Sequence, residues 1–114
     1  MKPKVYVETT VISYLAALPS RDIVVAGHQE MTRAWWSHRD RFQLFVSQAV
    51  VEEAARGDAV AAARRVVLLE EIPVLGLTAD VEAVANRLLR AGAVPVRSRI
   101  DAIHIAVAGV NRMI

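Results

Sequence analysis

The chain has 114 residues, of which 54% are hydrophobic and 23% charged, with 14 basic and 12 acidic side chains. That length suits one domain and is short for two, and the composition excludes a disordered chain. The absence of cysteine excludes a disulfide scaffold, a thiolate metal site and a cysteine nucleophile.

A net charge of +2 permits nucleic-acid binding without indicating it. Lys2 and Lys4 are the only lysines. The arginine excess suits bidentate phosphate contacts, and a base-composition bias in the genome accounts for it as well. Lys2 and Lys4 ahead of the apolar stretch Val11 to Leu18 invite a signal-peptide reading. Glu8, Thr9 and Thr10 interrupt it, and no small-x-small pattern follows before Pro19. No apolar run approaches the roughly 20 residues of a membrane helix. A reducing cytoplasm is the expected compartment.

In chain order, the first predicted element is a strand at Val5 to Val7, running into Glu8 and Thr9. Ser20 then fits as the cap of a helix to about Arg39, with Asp22 in its first turn. A second strand is predicted at Phe42 to Val46. Ser47 caps a short helix through Ala55, stopped by Gly57, and Asp58 caps another from Ala59 to about Glu70. The third strand is predicted at Ile72 to Leu77, with Pro73 near its start, where a strand tolerates proline best. Thr78 caps a helix over Ala79 to Ala91 that Gly92 ends, and Ser98 caps the last, from Arg99 to about Val110. That last helix is apolar nearly all round, broken by His104, so it requires cover on more than one face.

Strands alternating with helices predict an α/β fold with parallel strands, in which the functional crevice lies at the carboxyl ends of the strands. That rule directs attention to Glu8 and the Ser47 to Glu53 segment. Three acids stand out: Glu8 ends the first strand, Glu53 lies in the helix after the second, and Asp101 lies in the first turn of the last helix. Clustered carboxylates repel unless a cation sits among them, and Mg²⁺ or Mn²⁺ takes such hard oxygen ligands. Thr9 or Thr10 could orient a carboxylate or a bound water. Each acid also has a plainer reading. Glu8 could simply end a strand, and Glu53 beside Glu52 could be a solvated helix residue. Ser98 and Asp101 have the spacing of a capping box. His104, three residues after Asp101, could be a ligand or a packed, hydrogen-bonded histidine. Trp35 and Trp36, being adjacent on a helix, are expected to point apart, one to the core and one outward to bases or a partner. Arg33, Arg39 and Arg41 could touch phosphate or form a solvated face.

Three segments together resemble the PIN-domain family, in particular the VapC-type toxins of bacterial and archaeal toxin–antitoxin pairs. Val5-Tyr6-Val7-Glu8-Thr9-Thr10-Val11-Ile12-Ser13-Tyr14-Leu15 resembles the family's first-strand motif. Ser47 through Glu53-Ala54-Ala55-Arg56-Gly57-Asp58 resembles its second-acid helix. Asp101-Ala102-Ile103-His104-Ile105-Ala106-Val107-Ala108 resembles its third-acid helix and is the most specific of the three.

The resemblance implies a three-layer sandwich over residues 1–114, with a short parallel sheet flanked by helices. It implies an Mg²⁺- or Mn²⁺-dependent endoribonuclease, the toxin of a type II pair, with an RNA substrate and a cognate antitoxin; separately, the exposed apolar last helix predicts either a homodimer or poor stability. The family's first acid falls on Glu8, its second on Glu53, its third on Asp101, its hydroxyl after the first acid on Thr9, and a largely structural histidine on His104. The first acid is usually Asp; Glu8 is one methylene longer, and a subgroup reads Glu-Thr-Thr here. The family continues into a fourth strand beside the first and a Thr-Trp-Asp or Thr-Trp-Asn segment. Nothing in this sequence matches these, so the resemblance implies a C-terminally incomplete domain with its first strand at an exposed edge. Two other readings stand beside the nuclease: a non-catalytic PIN-like protein that binds an antitoxin or its own copy, and a plain α/β interaction module whose acids are only caps.

Overall fold

The computed structural model describes residues 2–113. Three short strands, β1 (Lys4–Tyr6), β2 (Gln43–Ser47) and β3 (Val74–Leu75), pair in parallel in the order β1-β2-β3. Val5 lies opposite Leu44, Tyr6 opposite Phe45, and Ser47 opposite Leu75. Six α-helices among the described residues complete the chain: α1 (Thr9–Ala16), α2 (Ile23–Trp36), α3 (Gln48–Ala54), α4 (Ala59–Leu69), α5 (Ala79–Arg90) and α6 (Arg99–Val110). The α/β class with a parallel sheet is as the sequence predicts.

Alternation along the strands divides the interior into two clusters. Val7 and Val46, with Val5 and Leu44, pack against Ile12 of α1, Val50 and Ala54 of α3 and Leu69 of α4. Leu75 packs with the second cluster, built from Val81 and Ala85 of α5 and Ala102, Ala106 and Val107 of α6. Tyr6 touches both clusters. Helices therefore cover both faces of the sheet.

The strands differ from expectation by a residue or more at their ends. The third shrinks most, from Ile72–Leu77 to Val74–Leu75. Pro73 has no N–H for the ladder and uses only its carbonyl, which accepts from Val46 at 3.0 Å. Helix α1 is the element the sequence pattern conceals. Thr9, Thr10, Val11 and Ile12 are β-branched and have modest helix propensity. Tertiary packing overrides this: Ile12 is fully buried, and α1 lies against α2, α3 and α4.

Most predicted caps form. The side chains of Ser47, Asp58 and Thr78 accept from the N–H groups of Val50, Ala61 and Val81. Gly57 and Gly92, both at positive φ (86° and 72°), follow α3 and α5 where a left-handed residue is needed. Two caps differ. Asp22, not Ser20, caps α2, accepting from Val24 and Val25, while the Ser20 hydroxyl accepts from the Asp22 N–H. The expected helix to Arg39 stops at Trp36 and is followed by a 3-10 turn at Arg39–Arg41. At α6 the Ser98 hydroxyl makes no cap bond. Its ψ of 41° departs from the extended geometry a side-chain cap requires, and its N–H is taken by the Pro95 carbonyl at 2.8 Å. The capping box that would explain Asp101 as a structural residue is therefore absent.

Candidate functional site

The carboxyl ends of β1 and β2 lead directly into α1 and α3, and α6 packs beside α3. Ser47 closes β2 and caps α3, whose last turn carries Glu53. Glu8 closes the turn from β1 into α1, so Thr9 is the first residue of that helix. These junctions bring Thr9, Glu53 and His104 together from three helices.

Glu53 is the organised acid. Thr9 Oγ1 donates to its Oε1 at 2.6 Å, and His104 Nε2 lies 2.8 Å from the same oxygen. The Glu53 side chain is 25% exposed and that of His104 10%, so the pair sits at the boundary between core and solvent. On the inner side, His104 Nδ1 is 2.6 Å from the Tyr6 hydroxyl, which is 2.7 Å from the fully buried Ser47 hydroxyl. Five side chains from β1, β2, α1, α3 and α6 thus form one continuous hydrogen-bonded chain. Burial raises the Tyr6 hydroxyl to a pKa of about 12. The Ser47 bond opposes that rise, while the charges of Glu53 and Glu8 add to it. Tyr6 is therefore a neutral hydroxyl at physiological pH, lying within the field of two of the predicted acids.

Glu8 and Asp101 are placed differently from Glu53. Glu8 occupies the N-cap position of α1, half-buried, but its side chain makes no cap bond. Asp101 is exposed in the first turn of α6, one turn ahead of His104. Neither carboxylate has a hydrogen-bond partner among the described residues. The oxygens of Glu8, Glu53 and Asp101 are the hard donors that Mg²⁺ or Mn²⁺ takes, and Glu53 Oε2 is uncommitted. Among the described residues, however, no group of three or more His, Asp or Glu side chains is positioned to hold a metal ion. The donor chemistry fits the ion; the gathering of all three carboxylates about one point is not seen.

The aromatic and basic candidates lie elsewhere. Trp35 and Trp36 are both half-buried against the first cluster, contrary to one facing outward, with Trp35 stacked on Phe42 at 6.0 Å. The Arg39 guanidinium lies 4.8 Å above the Trp36 ring and donates to the Trp36 carbonyl. Arg33 pairs with Glu30 on the surface at 3.0 Å. A cavity of about 530 Å³ lies between Trp36, Arg39, Phe42, Glu71 and Ile72. It sits at the opposite end of the sheet from Glu53 and contains none of the predicted acids.

Glu53, Thr9 and His104 stand out in the sequence, whereas the junction of Tyr6 and Ser47 with them does not. The available signal was the strand period, which puts Tyr6 on the face away from Val5 and Val7, with Ser47 at the end of the adjacent strand. No family model, curated protein or solved structure matches this chain.

Proposed function

We propose that this chain is a PIN-type metal-dependent endoribonuclease, hydrolysing RNA phosphodiester bonds in the cytoplasm as the toxin of a type II toxin–antitoxin pair, with an antitoxin protein and a second copy of itself as partners. The observation that carries the reading is Glu53, held by two donors on one oxygen at the carboxyl end of a parallel sheet. In open α/β sheets that end is where ligands bind. The motif resemblance at Glu8, Glu53 and Asp101 supplies the reaction class.

Each residue has a definite part in this reading. Thr9 and His104 fix the orientation of Glu53, since both hold the same carboxylate oxygen. Glu53 Oε2, Glu8 and Asp101 would supply the negative oxygens to hold Mg²⁺ or Mn²⁺. The ion, when bound, makes a water more acidic and stabilises charge on the phosphodiester. Tyr6 and Ser47 back His104 on the inner side of the site.

The test is RNA cleavage by the purified chain with Mg²⁺, with excess EDTA, and with Asp101→Asn. The reading expects cleavage only with the metal and the native Asp101. Cleavage that persists unchanged in EDTA or in the variant contradicts it. One observation favours a second reading, the non-catalytic PIN-like binding protein: no three acids gather about one point among the described residues. A folded chain that binds neither Mg²⁺ nor Mn²⁺ at millimolar concentration selects that alternative.

A further inference from the structure

With Glu53 as a carboxylate and His104 as the neutral Nε2–H tautomer, every hydrogen bond in the chain running inward from Glu53 has a donor and an acceptor. An ionised carboxylate has no proton to give, so His104 Nε2 is the donor at the 2.8 Å contact. In a neutral imidazole the other nitrogen is then bare and accepts. Tyr6, 2.6 Å from Nδ1, places its single hydroxyl proton there. The Tyr6 oxygen must therefore accept at its 2.7 Å contact with Ser47, and the Ser47 hydroxyl is the donor. Ser47 Oγ in turn accepts the Val50 N–H, the cap of α3. Every proton in the chain has a place, and no buried side-chain nitrogen or oxygen among the described residues lacks a partner.

We propose that Tyr6, backed by Ser47, is a positioning residue that acts on Glu53 through His104. The hydroxyl grips the Nδ1 edge of the imidazole, so Nε2–H is aimed at Glu53 Oε1. Together with Thr9 this occupies Oε1 twice and leaves Oε2 as the one oxygen open to a ligand of the site. The grip concerns only these side chains; its consequence for metal binding rests on the nuclease reading. Tyr6 bonds to His104 and Ser47 and not to Glu53 itself. Its hydroxyl acts at a distance of two hydrogen bonds, the arrangement by which outer partners orient the groups that bind a metal.

Tyr6→Phe removes the hydroxyl and retains the ring, which packs against His104 at a centroid distance of 5.8 Å. Two quantities are read on the full chain. The first is the imidazole Nε2–H proton of His104 by nuclear magnetic resonance at fixed neutral pH. The second is Mn²⁺ affinity by calorimetry. Tyr14→Phe is the control, because it deletes a tyrosine hydroxyl bonded to a different histidine, His28, at an exposed position.

The expected result is a slowly exchanging His104 Nε2–H resonance in the wild type that broadens in Tyr6→Phe. Mn²⁺ binding should weaken by about tenfold or more, the usual cost of losing an outer partner. Tyr14→Phe should do neither. A resonance that stays sharp in Tyr6→Phe overturns the proposal, as does unchanged Mn²⁺ affinity in a chain that binds the ion. If the wild type binds no Mn²⁺, the metal reading fails and the resonance alone judges the positioning role. If Tyr6→Phe does not fold, Ser47→Ala, which withdraws the support behind Tyr6, replaces it. A smaller broadening there upholds the proposal, and none overturns it.

Discussion

Replacing Ser47 with alanine removes one oxygen from a fully buried position and leaves the packing volume almost unchanged, so its cost is nearly pure hydrogen bonding. Two bonds are lost. The bond to the Val50 N–H is long, 3.4 Å, which places this cap at the low end of the roughly 0.5–2 kcal/mol range for such residues. The bond to the Tyr6 hydroxyl is short, 2.7 Å, and shielded from water, and a bond of this kind contributes about 0.5–1.5 kcal/mol net. Together they predict a loss of about 1–2 kcal/mol, a substantial share of the 5–15 kcal/mol typical of a folded domain. Urea denaturation followed by circular dichroism measures it, with the slope unchanged so that the midpoint shift reads stability. A double-mutant cycle with Tyr6→Phe isolates the shared bond, and a coupling of about 1 kcal/mol is expected because the two residues touch. A loss below about 0.5 kcal/mol, or additive effects of the two substitutions, would refute the hydrogen-bond chain as a structural unit.

Three further outcomes follow from the same structure. The Tyr6 hydroxyl, raised from 10.0 to about 12, should be missing from the first phase of the alkaline absorbance titration, as the wild-type minus Tyr6→Phe difference will show. Because the folded value is the higher one, the Tyr6 contribution to stability is whole below pH 10 and is lost as the pH rises through about 12; ionisation of Tyr6 near pH 10 in the folded chain contradicts this. Ile12→Ala empties a fully buried site beneath α1 and should cost about 2–5 kcal/mol by urea denaturation; a loss under 1 kcal/mol would mean that α1 is not anchored by this side chain. Asp101→Asn should change stability by less than about 1 kcal/mol, since the residue is exposed, makes no hydrogen bond and loses only its favourable place at a helix N-terminus. A larger loss would give Asp101 a structural role that its geometry does not show.

Those expectations separate what the sequence made legible from what it did not. The alternation of apolar runs with capped amphipathic segments was enough for an α/β fold with parallel strands, and Ser47, Asp58, Thr78, Gly57 and Gly92 marked helix ends correctly because capping is local chemistry. Helix α1 was illegible because its first four residues are β-branched and only tertiary burial of Ile12 makes it helical. The Ser98 to Asp101 spacing was legible but misleading, since the turn at Pro95 sets a backbone geometry in which the serine hydroxyl cannot cap. The candidate site was legible in Glu53 and Thr9, which lie just beyond strand ends. Tyr6 and Ser47 read as ordinary strand and cap residues. Their junction with His104 depends on a contact spanning 98 positions between β1 and α6, which no local pattern encodes.

The central claim is that Glu53 is the organised acid of a metal-dependent hydrolytic site at the carboxyl end of the sheet. Mn²⁺ titrated into the isotope-labelled chain tests it directly, without knowledge of the RNA target, because the ion broadens the resonances of nuclei around it. The account predicts broadening centred on Thr9, Glu53 and Asp101 and extending to Glu8, and its loss in Glu53→Gln. No broadening, or broadening centred on surface acids such as Glu70 and Glu71, would contradict it.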